Sequence, residues 1–150
     1  RLVSSYMNQS IGTIFFSKVT ERYLFLLRNK DSHGNTWAFV GGKVENTESP
    51  IQGLSREIVE EIGFEPEIVK HIPIEKFTNK KKKFEYHTFI SVVENEFVPI
   101  LNSEHKGYAW VSIEGWPKPL HPGVFSTLKI EEIMKKIETV SKLFVSDYMA

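Results

Sequence analysis

The segment GGKVENTESPIQGLSREIVEEIGF, from Gly41 to Phe64, restricts the fold more than any other part of this 150-residue chain. Ser49-Pro50 reads as a helix start, because serine caps the free N–H groups of a first turn and proline suits the first helical position. Gly63 reads as the stop, since glycine takes the left-handed conformation at a helix end without strain. Between them Ile51, Leu54, Ile58 and Ile62 recur at helical spacing and form a stripe for packing on a sheet. Glu57, Glu60 and Glu61 fall within about 100° of one another on the neighbouring face, which is expected to look into a cleft and not the core. Carboxylates so spaced repel by a few tenths of a kcal/mol per pair. A solvated surface tolerates that, and a hard divalent cation among the oxygens reverses it. Gly53 costs the helix roughly 1 kcal/mol relative to alanine and is expected to keep the space beside the acids open.

The rest of the chain supplies the sheet. Ile11 to Val19 and Arg22 to Arg28 are rich in β-branched and aromatic residues and read as a hairpin. Asn29 to Asn35 is a turn by composition, and TWAFVGG is a short strand entering a glycine bend. EIVKHIPIEKF reads as a strand that Pro73 makes an edge or a bulged one. Asn79 to Lys83 is a lysine-rich loop, Phe84 to Val93 a strand and Tyr108 to Ile113 a shorter one. EGWPKPLHPG is irregular by its prolines, and Leu128 to Phe144 has the spacing of an amphipathic helix. Strands and helices that do not alternate indicate an α+β domain, one domain over residues 1–150.

Composition excludes several classes of function. Lys+Arg and Asp+Glu both number 19, so net charge does not favour a nucleic-acid binder. The absence of cysteine rules out a disulfide framework and thiolate metal sites. No apolar run reaches the roughly 18 residues of a membrane span, and RLVSSYMNQS lacks the pattern of a signal peptide. A cytoplasmic protein is expected.

Three acids and an arginine on one helix are compatible with a solvated ion-paired face as well as with a cation site. The whole segment separates the two. From Gly42, five residues precede Glu48 and seven more precede Arg56-Glu57; Ile58, Glu60-Glu61, Gly63 and Phe64 follow at fixed intervals. At all of these positions the chain resembles the Nudix hydrolase family, and a chance match in such a chain is of order one in ten million. Val40 in WAFVGG stands where many members have proline before the paired glycines, a departure that concerns the bend rather than the chemistry.

The resemblance implies an α/β/α sandwich with a mixed central sheet, and Mg²⁺-dependent hydrolysis of a nucleoside diphosphate linked to another group, with Mn²⁺ as a substitute. Carried to this sequence, it makes Glu60 and Glu61 metal ligands, Glu57 a ligand or the base, and the Gly41 carbonyl a further ligand. Arg56 would orient the acids by pairing with Glu48. Glu104, in a loop before the Tyr108–Val111 strand, is a candidate base able to swing over the substrate. Candidates to touch substrate are Arg28, Trp37, Phe39, Lys43 and Tyr86. His87 and His121, with no partner acid near in sequence, read as structural or rim residues. ADP-ribose or a nucleotide sugar is the favoured substrate. A MutT-like (d)NTP pyrophosphohydrolase is the rival, RNA 5′-end processing rests only on the lysine loop, and a non-catalytic binding module is disfavoured by the complete set of acids. A homodimer is compatible with all of these.

Overall fold

The structure, a computed structural model, describes residues 7–149, with side chains as far as residue 145. Residues 1–6, which begin the polar N-terminal stretch, and residue 150 lie outside the described residues. Strands β1 (Asn8–Ser17), β2 (Tyr23–Arg28), β3 (Trp37–Ala38) and β4 (Val40–Lys43) lead into helix α1 (Pro50–Ile62). Then come β5 (Ile68–Asn79), β6 (Phe84–Val93), β7 (His105–Val111), α2 (Pro122–Leu128) and α3 (Glu131–Met149).

The sheet is mixed. Its main order is β3-β2-β1-β6-β5, with β4 added to β1 and β7 to β2. β1 runs parallel to β6 over its whole length, Asn8↔Phe84 to Ser17↔Val93, while the other pairings are antiparallel. On its other side β1 is shared. Ser10 to Thr13 pair with β4, and only Phe16 pairs with Tyr23 of β2. The expected hairpin therefore exists at its turn alone, and the two strands diverge beyond it.

Alternation along the strands divides the buried residues between two faces. Ile14, Phe16, Tyr23 and Phe25 pack with Val124 and Leu128 of α2 and Ile133 and Ile137 of α3. Ile11, Phe15, Leu24 and Leu26 pack with Leu54, Ile58 and Ile62 of α1. The sheet lies between α1 and the α2–α3 pair, the sandwich that the resemblance implies. β5 is an edge strand and its register shifts between Pro73 and Glu75, so proline sits at both an edge and a bulge.

Several details differ from the sequence reading. The helix expected to start at Leu128 starts instead at Glu131 as α3, and Leu128 closes a separate helix, α2. His121 caps α2, its Nδ1 accepting from the Gly123 N–H, and Pro122 occupies the first turn. Glu131 and Glu132 then open α3, where acids suit the positive end of the helix dipole. β7 begins at His105 rather than Tyr108, because pairing with β2 continues to Arg28 through a register shift at Leu27/Arg28. Ile51 remains exposed in the first turn of α1, whose buried positions begin at Gly53.

Candidate active site

The capping chemistry of α1 is complete. Ser49 Oγ accepts from the Gln52 N–H, the Gln52 side chain accepts from the Ser49 N–H, and Gly63 ends the helix at φ 90°. A Cβ on Gly63 would come within 2.6 Å of the Ile100 Cβ, so both conformation and space require glycine there.

The acids of α1 are not equivalent. Glu61 is 4% exposed, the Glu57 side chain 13% and the Glu60 side chain 51%. Helical geometry explains the gradient. Measured from Leu54, at the edge of the apolar stripe nearest the acids, Glu61 lies about 20° away, Glu57 about 60° and Glu60 about 120°. Glu61 is thus a core-facing acid, contrary to the expectation that all three look into a cleft. Its Oε1 accepts the Gly41 N–H at 3.0 Å. The Gly41 contact to the acids is thus made through its backbone N–H.

Arg56 ties the cluster together. It grips Glu48 through Nε (2.7 Å) and Nη2 (3.0 Å), and Nη2 also donates to the Lys43 carbonyl at 2.9 Å. Nη1 reaches Glu57 and Glu60, each at 3.2 Å. The expected Arg56–Glu48 pair is therefore present, and it extends to two further acids. Gly53 is buried rather than beside an open space: a Cβ there would press on Glu48 Oε1 at 3.2 Å and Val44 at 3.3 Å. Gly42 lies beneath Glu57, whose Cδ would stand 2.5 Å from an added Cβ.

Burial sets the electrostatics. It pushes the Glu61 carboxyl up to about 8; nearby Glu57 and Glu104 add to the rise, and the Gly41 N–H opposes it. Glu57 is also raised, first by burial and then by Glu60, with Arg56 opposing. The Arg56 hydrogen bonds hold Glu48 below its ordinary value.

A second group of residues meets Glu61 from the loop before β7. Glu104 pairs with Lys30, Oε1 to Nζ at 3.3 Å. One ligand atom from each of Glu61, Glu104 and His105 lies within 4.8 Å of the others. His105 was not singled out from the sequence. Burial pushes its imidazole down to about 4, and its Nδ1 is buried without a hydrogen-bond partner.

Beside the acids is a cavity of about 570 Å³, its wall including Arg28, Phe39, Lys43, Phe77, Tyr86 and His121. Gly41 and Gly42 also line it. Of the five substrate candidates, Arg28, Lys43, Phe39 and Tyr86 are brought there and Trp37 is not. Trp37 packs on the α2–α3 core, pinned by pairing to Leu27 and by backbone bonds to Pro119 and His121. Phe39 is itself a core residue, 6% exposed, that presents part of its surface to the cavity. Arg28 is held by the Ser32 carbonyl at 2.9 Å and the His33 carbonyl at 3.3 Å. His121 is a rim residue, edge-on to His33. His87 does have a partner acid, Glu85 at 3.3 Å, since residues two apart share a strand face.

Residues 8–129 match the NUDIX domain, and the chain belongs to that family. With every acid of the Gly41–Phe64 pattern in place, it is a Nudix hydrolase. The fold is similar to that of RenU, a Nudix hydrolase from M. smegmatis (TM-score 0.64, 20% identity, covering 93% of this chain and 87% of that one). It is also similar to the MutT NUDIX hydrolase from Burkholderia pseudomallei (TM-score 0.63, 18% identity, 81% and 95%). A third likeness is the NUDIX domain of Shewanella oneidensis NrtR complexed with ADP ribose (TM-score 0.58, 13% identity, 72% and 74%). Among curated proteins none matches the sequence.

Proposed function

We propose that this protein cleaves the diphosphate bridge of a nucleoside diphosphate linked to another moiety, of the ADP-ribose or nucleotide-sugar type, and releases a nucleoside monophosphate. One observation carries the reading: a single short strand serves both the acids and the cavity. Gly41 bonds Glu61, Gly42 lies beneath Glu57, and both glycines with Lys43 form part of the cavity wall. A substrate lying across β4 would set its diphosphate against the acids and its nucleoside in the cavity, whose volume suits a small ligand. The ADP ribose held by the NUDIX domain of NrtR is a ligand of this class.

The residues fit a divalent cation. Glu57 and Glu61 are carboxylates crowded in a poorly hydrated place, and burial and mutual repulsion raise both pKa values, a condition that a cation relieves. Glu60, Glu61 and the Gly41 carbonyl would hold Mg²⁺, or Mn²⁺ in its place. When bound, such an ion offsets phosphate charge and lowers the pKa of a water. Glu57 is assigned the base, because Arg56 Nη1 holds its carboxylate over Gly42, at the cavity wall. Arg56 positions Glu57 and Glu60 through Nη1. Arg28 and Lys43 would take the phosphates, and Tyr86 with the exposed part of Phe39 the nucleoside base, since all four line the cavity. Glu104, paired to Lys30 and gathered with Glu61 and His105, is better suited to holding a cation than to the role of base.

The test is product analysis with Mg²⁺ over ADP-ribose, nucleotide sugars, dinucleoside polyphosphates, dNTPs and capped RNA. Nucleoside monophosphate from the ADP-ribose class should dominate. Pyrophosphate from a dNTP as the main product would put the MutT-like reading in its place, and no turnover of any member would overturn both. A related expectation concerns Gly42. Gly42→Ala should push the Glu57 carboxylate aside and lower kcat by about 10²-fold, as a misplaced reacting group does. Its melting temperature should change little, since the atoms displaced are the end of a flexible side chain.

A further inference from the structure

His105 stands outside the chemistry proposed above. It is 5% exposed, opens β7 opposite Arg28, and is aimed by the register shift at Leu27/Arg28. Its Nδ1 is buried with no hydrogen-bond partner. An orphaned polar atom of this kind costs on the order of 1–3 kcal/mol unless something occupies it. One ring nitrogen lies within 4.8 Å of a carboxylate oxygen of Glu61 and of Glu104, and those oxygens are as close to each other. Donors this near one another can be drawn onto a single ion, which would hold each at roughly 2.0–2.2 Å.

The loop carrying these donors is fixed in advance. Asn102 donates to the Glu60 carbonyl at 3.0 Å and accepts the Glu104 N–H at 2.9 Å. The Glu104 carbonyl accepts the Asn29 N–H at 2.7 Å. The end of α1 and the start of β7 are therefore stitched together around Glu61. Lys30 already presents a positive charge to Glu104 at 3.3 Å, so the acids draw a cation there in the resting protein.

We propose that Glu61, Glu104 and His105 form a cation site of mixed oxygen and nitrogen donors that prefers a transition metal such as Mn²⁺, Co²⁺ or Zn²⁺ to Mg²⁺. Magnesium favours oxygen ligands and keeps its waters, whereas imidazole suits the later divalent ions. The site shares Glu61 with the α1 acids, and a change of metal there would alter which ion supports turnover. In that respect the inference rests on the metal-dependent reading above. Its test uses binding in the resting protein, so that failure of hydrolysis and failure of the site are separate results.

Metal-free protein is titrated calorimetrically with Zn²⁺ and with Mg²⁺, and its Co²⁺ form is examined by proton NMR. Zn²⁺ should bind more tightly than Mg²⁺, and the Co²⁺ form should show a hyperfine-shifted, exchangeable imidazole N–H signal. His105→Gln should weaken Zn²⁺ binding by about tenfold or more and abolish that signal, while Mg²⁺ affinity stays within about threefold. Glu104→Gln, at a partly exposed side chain whose loss spares the core, should weaken Zn²⁺ to a similar degree, and serves should the histidine variant not fold. Wild-type protein that binds Zn²⁺ no better than Mg²⁺, or Glu104→Gln with wild-type Zn²⁺ affinity, would overturn the proposal.

Discussion

Glu57→Gln is expected to lower kcat by about 10³-fold at saturating Mg²⁺, within the range for loss of a positioned general base. The substitution is isosteric. A glutamine oxygen can still accept from Arg56 Nη1, which now reaches Glu57 at 3.2 Å, so the Arg56 network loses a charge and keeps its geometry. As the base, Glu57 must be ionised to act, so the wild-type kcat profile should show an acidic limb. In the variant that limb should disappear along with the rate. Circular dichroism and melting temperature measured beside the kinetics separate loss of chemistry from loss of fold. A kcat within a few-fold of wild type would remove Glu57 from the base role.

In protein stripped of divalent ions, Glu61→Gln is expected to be more stable than wild type near pH 8 and nearly equal to it near pH 4.5. The Glu61 carboxyl is pushed from 4.5 up to about 8, chiefly by burial. Between those values the native state holds a proton that the unfolded chain has released. Its contribution to stability is therefore complete below about pH 4.5 and is lost as pH rises through about 8. Glutamine has no charge to desolvate and can keep the Gly41 N–H bond through its amide oxygen, which removes this slope. The gain near pH 8 should be on the order of a few kcal/mol, read from urea unfolding in the presence of a chelator across the pH range. An equal gap at every pH would show that the ionisation of Glu61 is not its source.

What the sequence discloses about this site is mainly what depends on neighbours along the chain. Ser49, Pro50 and Gly63 bound α1 as expected because capping is local chemistry, and Arg56 finds Glu48 because both belong to one short segment. The burial of Glu61 was half legible. Its angle places it on the Leu54 stripe, but the partner that makes burial tolerable, the Gly41 N–H, is supplied by a strand. The Glu85–His87 pair was open to simple strand alternation, and His121-Pro122 carried the cap that begins α2. His105 could not be found this way. Its meeting with Glu61 depends on the β2–β7 register and a bulge within it, which no local pattern encodes. Trp37 differs for a related reason: pairing with Leu27 fixes which way an aromatic strand residue turns.

The sharing of β1 between two partners has a kinetic consequence. β4, which underlies the acids, is held to the sheet through Ser10–Thr13 of β1. β1 in turn is bound along its full length to β6, whose residues lie 76 positions further on. Helix α1 with its caps can form from local contacts within microseconds. The strand beneath it must wait for a parallel pairing that closes a long loop, the slow kind of contact in folding. The surface that aligns the acids is therefore expected to form late in folding, once synthesis has passed Val93 and β1 can pair with β6.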